Sequence, residues 1–197
     1  MPSRAGAVRR STSGSSSAAA NSQIPLTADG KAAAKRFWNK IRPSEAVAVY
    51  SSPYRRAYET AEAISKSIIT DARLAERETG EQGTFTIQAW ARQYTDCDFA
   101  NTGGESFRTV RTRMTAAISY ILMQTKDGTA AVVVSHAAAI CAYLQQYCTI
   151  TVTDASKKLR RITFSGATVL NGPISTPSCF VLRFEDGVLR GIEYINF

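Results

Sequence analysis

Five consecutive apolar residues, Ala130-Ala131-Val132-Val133-Val134, run directly into Ser135-His136 and then Ala137-Ala138-Ala139-Ile140. A strand with no polar residue on either face needs cover on both sides, as a parallel strand inside a layered α/β domain has. The small residues after His136 open a helix, so strand turns to helix with an imidazole at the junction. Helix N-termini favour anions, because their first N–H groups lack intrahelical partners and the helix dipole is positive there. His136 is also the single histidine of the 197 residues.

The rest of the chain repeats the alternation. Thr27 is the expected N-cap of a helix that buries Ala32, Phe37, Trp38 and Ile41, and Pro43-Ser44 breaks it. Ala46–Tyr50 reads as a buried strand, and Ser51-Ser52-Pro53 opens a second helix through about Ser67. Residues 71–104 are irregular around Gly80, Gly83, Gly103 and Gly104, with a short helix near Thr86–Tyr94. Phe107, Val110, Met114, Ile118, Ile121 and Leu122 recur at three- and four-residue steps, giving a long amphipathic helix. Cys179–Phe184 and Val188–Ile195 form a hairpin about Glu185-Asp186-Gly187. The fold class is α/β, with an active site at the carboxyl ends of parallel strands.

Residues 1–23 stand apart. Serine, alanine and glycine dominate, and Arg4, Arg9 and Arg10 occur without an acid. Such a segment buries no apolar face, so a low-complexity tail is expected, with an organellar presequence as the alternative. Residues 24–197 are then one domain, cytoplasmic on the first reading and mitochondrial on the second. The formal charge of +8 suits a protein that handles anions but is too small for a nucleic-acid partner. No apolar stretch is long enough for a membrane span. Cys97, Cys141, Cys148 and Cys179 have no C-x-x-C spacing, so reduced thiols are expected and no metal site. A cysteine-based phosphatase needs an arginine six positions after its cysteine. Gly103, Tyr147, Asp154 and Glu185 stand there instead.

Pro25-Leu26-Thr27-Ala28-Asp29-Gly30, Ser51-Ser52-Pro53-Tyr54-Arg55-Arg56-Ala57, Leu74-Ala75-Glu76-Arg77-Glu78-Thr79-Gly80, Gly103-Gly104-Glu105-Ser106 and Val133-Val134-Ser135-His136 occur in this order. Together they resemble the histidine phosphatase superfamily, the phosphoglycerate-mutase-like proteins, over roughly residues 24–196. The resemblance implies a three-layer α/β/α sandwich with a mostly parallel central sheet. It implies phosphomonoester chemistry without a cofactor, on a phosphorylated small molecule or phosphoprotein. Arg56 matches the phosphate-binding arginine, whose fork can hold two phosphate oxygens. Glu76 matches the general acid, which needs a raised pKa, with Glu78 and Glu81 as rivals. His136 matches the supporting histidine that donates to the phosphoryl group, assisted by the amides of Ala137 and Ala138. The short segment between Glu76 and Gly104 favours phosphatase over mutase ancestry.

Two further groups are singled out by composition. The run Lys157-Lys158-Leu159-Arg160-Arg161 reads as a solvated loop face, or as a pocket rim for polyanions. Trp90, Tyr94 and Phe99 either shape a substrate site or pack in the core.

The family's nucleophile, the histidine of an N-terminal Arg-His-Gly, has no counterpart. At the expected distance stands Arg4-Ala5-Gly6, a degenerate remnant or a chance match. Only three residues precede Arg4, too few for the strand that carries that motif. Without the strand its neighbours stand roughly 10 Å apart with unpaired backbone groups. Another segment fills the slot, the sheet closes up, or the true chain begins further upstream. Three readings follow: a phosphatase by ancestry that is inactive as written, a pseudophosphatase that binds phosphorylated ligands or a partner, and an organellar structural subunit.

Overall fold

The computed structural model describes residues 21–41, 46–81 and 83–197, so most of the expected tail lies outside the described residues. Helix α1 (Ala28–Ile41) begins where Thr27 Oγ1 accepts the Gly30 N–H at 3.0 Å, the N-cap expected from the sequence. It buries Ala34, Phe37 and Trp38 rather than Ala32, which faces solvent. The Leu26 N–H donates to Glu59 Oε2 at 2.7 Å, and Lys31 and Arg55 also approach the Glu59 carboxylate. Glu59 thereby ties the start of α1 to the next helix.

Strand β1 (Ala46–Ser51) leads into α2 (Arg55–Ala61), which stops well short of Ser67. Ser65 Oγ accepts the Ser67 N–H at 3.0 Å and donates to the Ser67 carbonyl at 3.1 Å. Such local bonds compete with helix continuation. Strand β2 (Ile69–Thr70), a 3₁₀ turn (Ala72–Leu74) and α3 (Ile87–Arg92) occupy the irregular stretch. The long helix α4 (Phe107–Gln124) is capped by Ser106, whose side chain accepts the Thr109 N–H at 3.1 Å. Strand β3 (Ala130–Val134) and helix α5 (Ala137–Leu144) bracket Ser135-His136 as the apolar run predicts.

Strands β1, β2 and β3 form one parallel sheet in the order β2-β1-β3, with Val49 beside Val132 and Ser51 beside Val134. Parallel strands joined through helices give the mixed α/β architecture expected. Among the described residues no strand pairs with the other edge of β3, and its five apolar residues are all only half-buried. The sheet has neither closed up nor gained a replacement strand from these residues.

The C-terminal third is more extensively stranded than the sequence predicts. Beyond the expected hairpin β7–β8 (Ser178–Glu185 and Val188–Asn196), a meander of β4 (Thr149–Asp154), β5 (Leu159–Phe164) and β6 (Ala167–Gly172) forms a separate antiparallel sheet. Two of its features are local. Thr149-Ile150-Thr151-Val152-Thr153 alternates polar and apolar residues at the strand period. Ser165-Gly166 and Asp186-Gly187 both have positive φ, the requirement of the tight hairpin turns that follow strand twist.

The main core joins α4 and α5 to the sheets through Phe107, Val110, Met114, Ile121, Cys141, Leu144 and Ile162. Phe107 is fully buried at the start of α4. Phe107→Ala is expected to cost about 3–5 kcal/mol in urea denaturation. Met123, exposed on the same helix, is expected to cost within about 0.5 kcal/mol when truncated. Equal losses at the two positions would contradict this placement of the core.

Candidate active site

The carboxyl ends of β1 and β3 bring Ser52 and His136 together. Both are buried, and Ser52 Oγ lies 2.8 Å from His136 Nε2. The Tyr54 N–H donates to the same Ser52 oxygen at 3.2 Å. The Tyr54 ring meets the imidazole edge to face, 5.1 Å between centroids. The Arg56 guanidinium stands over the Tyr54 ring, 5.1 Å from its centroid. Arg56 Nη1 also donates to the backbone carbonyl of Asn21 at 2.9 Å and to its side-chain oxygen at 3.3 Å.

Glu76 reaches the same place from the loop after the 3₁₀ turn. Its Oε1 accepts the Arg77 N–H at 2.9 Å, and the Ala139 amide of the first turn of α5 also favours its charged form. Burial is the larger effect and pushes the carboxyl pKa upward, against the pull of Arg56 and Arg113. The rivals Glu78 and Glu81 are exposed. A cleft of about 360 Å³ opens beside these groups, lined among others by Tyr54, Glu76, Glu78, Glu105 and Arg113. Arg56, Glu76 and His136, the residues to which the family resemblance gives these roles, stand close enough for the Arg56 charge to act on both of the others, and Ala137 is exposed at the start of α5.

Burial lowers the His136 pKa to about 3, and the charges of Arg56 and Arg113 act in the same direction. The imidazole is consequently neutral near pH 7, with one nitrogen engaged by Ser52. It can offer or accept a hydrogen bond but brings no positive charge of its own. Positive charge in the site comes from the guanidinium groups of Arg56 and Arg113.

Arg113 is the residue that sequence reasoning missed. Its Nε and Nη2 donate to the two Glu105 carboxylate oxygens, each at 2.8 Å. Its Nη1 donates to the carbonyls of Arg73 and Ala75, both at 2.8 Å, and Nη2 reaches the Glu76 carbonyl at 3.1 Å. Glu105 in turn accepts the Glu78 N–H at 3.0 Å, and its carbonyl accepts Arg77 Nε at 2.8 Å. The loop that presents Glu76 is thus stapled to the N-terminal turns of α4. Gly80 and Gly104 permit the contact: a Cβ on Gly80 would stand 2.5 Å from the Thr102 carbonyl oxygen, and one on Gly104 2.9 Å from Gly80 N. The signal available in the sequence was Glu105 and Arg113 eight residues apart, which no single helical turn connects.

The basic run divides. Lys157, Lys158 and Arg161 are exposed, but Arg160 is buried on β5, and the solvated-face reading fails for it. Its guanidinium lies 4.9 Å from the Trp90 ring and 5.3 Å from the Tyr94 ring. It bonds the Tyr94 hydroxyl and Cys141 Sγ. Strand alternation places Arg160 inward because Ile162 two residues on is fully buried. Trp90 and Tyr94 are core residues, and Phe99 is half-buried beneath Arg92. Arg77 is buried against Phe85 and Phe107, and among the described residues neither of its terminal nitrogens has a hydrogen-bond partner. All four cysteines are free thiols, and no group of metal-ligating side chains occurs among the described residues. No described helix is long and apolar enough to cross a membrane.

Two outcomes follow from the geometry. Because folding depresses the His136 pKa, the unfolded chain binds more protons between about pH 6.5 and the folded value of about 3. Its contribution to stability is present above that window and lost as pH falls through it; Glu76 acts in the opposite sense. His136→Gln is expected to reduce the loss of stability from pH 6.5 to 4, read by urea denaturation. An NMR titration midpoint of the single imidazole near 6.5 would contradict its burial. Separately, Arg113→Ala is expected to cost about 3–5 kcal/mol, because it strands a half-buried carboxylate. Removing the exposed Arg183–Glu193 pair is expected to cost under about 1 kcal/mol in the same assay.

Comparison with known proteins places this geometry in context. The profile of the histidine phosphatase superfamily (branch 1) matches residues 3–165. Among solved structures, the native mycobacterial glucosyl-3-phosphoglycerate phosphatase is 23% identical, with a TM-score of 0.53 over 60% of this chain and 65% of that one. The same mycobacterial enzyme in complex with inorganic phosphate gives 22% identity and a TM-score of 0.51, covering 71% of this chain and 84% of the other. A mycobacterial hydrolase is 19% identical with a TM-score of 0.55, covering 76% and 92% of the two chains. At these identities the likeness is one of fold. No curated protein sequence matches the chain. The profile covers most of the sequence, and on that ground the chain belongs to the histidine phosphatase superfamily, branch 1.

Proposed function

We propose that this chain binds a phosphate monoester at Arg56 and His136, next to the cleft that Tyr54 and Glu76 line, and does not hydrolyse it through a phosphohistidine. The observation that carries the reading is the state of its one imidazole. His136 is buried, neutral and bonded to Ser52, the position of a supporting group and not of an exposed nucleophile. Alanine at position 5 cannot attack phosphorus. Arg56 supplies a fixed cation for the phosphate, and the raised pKa of Glu76 suits a proton donor to an ester oxygen. Phosphatase ancestry is supported by the family match and by the phosphate complex of the mycobacterial relative.

The family match begins at residue 3, which supports reading Arg4-Ala5-Gly6 as the remnant of the nucleophile motif. The expected result with p-nitrophenyl phosphate is no turnover above background. Turnover abolished by both His136→Ala and Glu76→Ala would overturn the inactive reading. Calorimetry with inorganic phosphate or vanadate is expected to show saturable binding that Arg56→Ala weakens at least tenfold. Absence of saturable binding, or binding indifferent to Arg56, would remove the binding function. Ala5→His is expected to restore turnover that Glu76→Ala again abolishes; no gain would refute the remnant reading alone.

A further inference from the structure

We infer that Tyr54 is a positioning residue of the anion pocket, its ring holding the Arg56 guanidinium and the His136 imidazole in one arrangement. The inference rests on the phosphate-binding reading above and names the residue on which that pocket's geometry depends.

Tyr54 makes three separate connections within the site. Its ring lies beneath Arg56 at 5.1 Å, an arrangement in which the negative face of the π-system attracts the cation. The same ring packs against His136 at an interplanar angle of 65°, the edge-to-face geometry that aromatic quadrupoles prefer. Its backbone N–H holds Ser52 Oγ, and that oxygen holds His136 Nε2. Tyr54 has extended backbone, φ −64° and ψ 131°, at the N-cap of α2, between the end of β1 and the first turn. The ring is thereby fixed by two elements at once.

The consequence for Arg56 is specific. A free arginine side chain samples many rotamers and gives up that freedom on binding an anion. Here Asn21 holds Nη1 and Tyr54 holds the guanidinium face. Among the described residues Nε and Nη2 have no hydrogen-bond partner, and together they form one edge of the fork. That edge matches two oxygens of a phosphate, and a fork already oriented loses less entropy on binding. Leucine at position 54 fills comparable space but offers no π-face to the cation.

The test is a double-mutant cycle on the full chain, titrated calorimetrically with inorganic phosphate. Tyr54→Leu is expected to weaken phosphate binding about tenfold, and Tyr54→Phe, which keeps the ring, is expected to recover most of that loss. In the Arg56→Ala background the Tyr54→Leu effect is expected to vanish, because the ring acts through the guanidinium. Undiminished binding in Tyr54→Leu, or a full effect that persists in Arg56→Ala, overturns the inference. Should the unmodified chain bind no phosphate, the proposed function fails, and the positioning role is then judged on the free protein. The nitrogen-15 signals of its single imidazole are expected to show one tautomer in the unmodified chain and in Tyr54→Phe, and averaged tautomers in Tyr54→Leu. Identical signals in all three would reject the positioning role.

Discussion

Five hydrogen bonds from one guanidinium hold the working parts of this molecule in register. Arg113 binds both oxygens of Glu105 and three consecutive-loop carbonyls, those of Arg73, Ala75 and Glu76. A loop of that kind has no ladder of its own, and its backbone carbonyls need partners once they are half-buried. Arg113 supplies them from a helix whose own position is fixed by the burial of Phe107, Val110, Met114 and Ile121. The carboxyl of Glu76 therefore inherits its place from the hydrophobic core through a single cation. The charge of that cation also reaches the site, where it opposes protonation of His136.

The electrostatics of the site follow from burial more than from pairing. Taking a carboxyl group out of water favours its neutral form, and the same is true of an imidazole, so the two groups shift in opposite directions. The Glu76 carboxyl moves toward its protonated form and the His136 imidazole toward its neutral one. Arg56, a positive charge stacked on the Tyr54 ring, acts on both of them. On the proposed reading, Arg56 supplies the charge for an anion and Glu76 the proton beside it.

The parallel sheet carries the other constraint. Strand β3 is apolar throughout, yet its residues are half-buried and its outer edge has no neighbour among the described strands. The C-terminal hairpin forms its own sheet, in which Ser178 pairs with Asn196 and Glu185 with Val188. An apolar strand with one open edge is an arrangement that proteins ordinarily cover.

Local sequence determined much of this protein. The strand at Ala130–Val134, the helix cap at Thr27, the long helix from Phe107 and the Asp186-Gly187 turn are all written in residue type and period. Arg56, Glu76 and His136 stood out through the family resemblance, each within a short motif beside a strand end or a glycine turn. The β4–β6 meander was within reach through its Thr/apolar alternation and Ser165-Gly166, but its short strands carry weak local signals. What tertiary structure alone decided were relations between distant residues: Ser52 on His136 across 84 positions, Arg113 on Ala75 across 38, and Arg160 on Tyr94 across 66. Charged residues in a basic run look solvated until a strand turns one of them inward between two rings. Period and composition describe what a segment prefers by itself, whereas burial, ion pairing and pKa belong to the surroundings that only folding assembles.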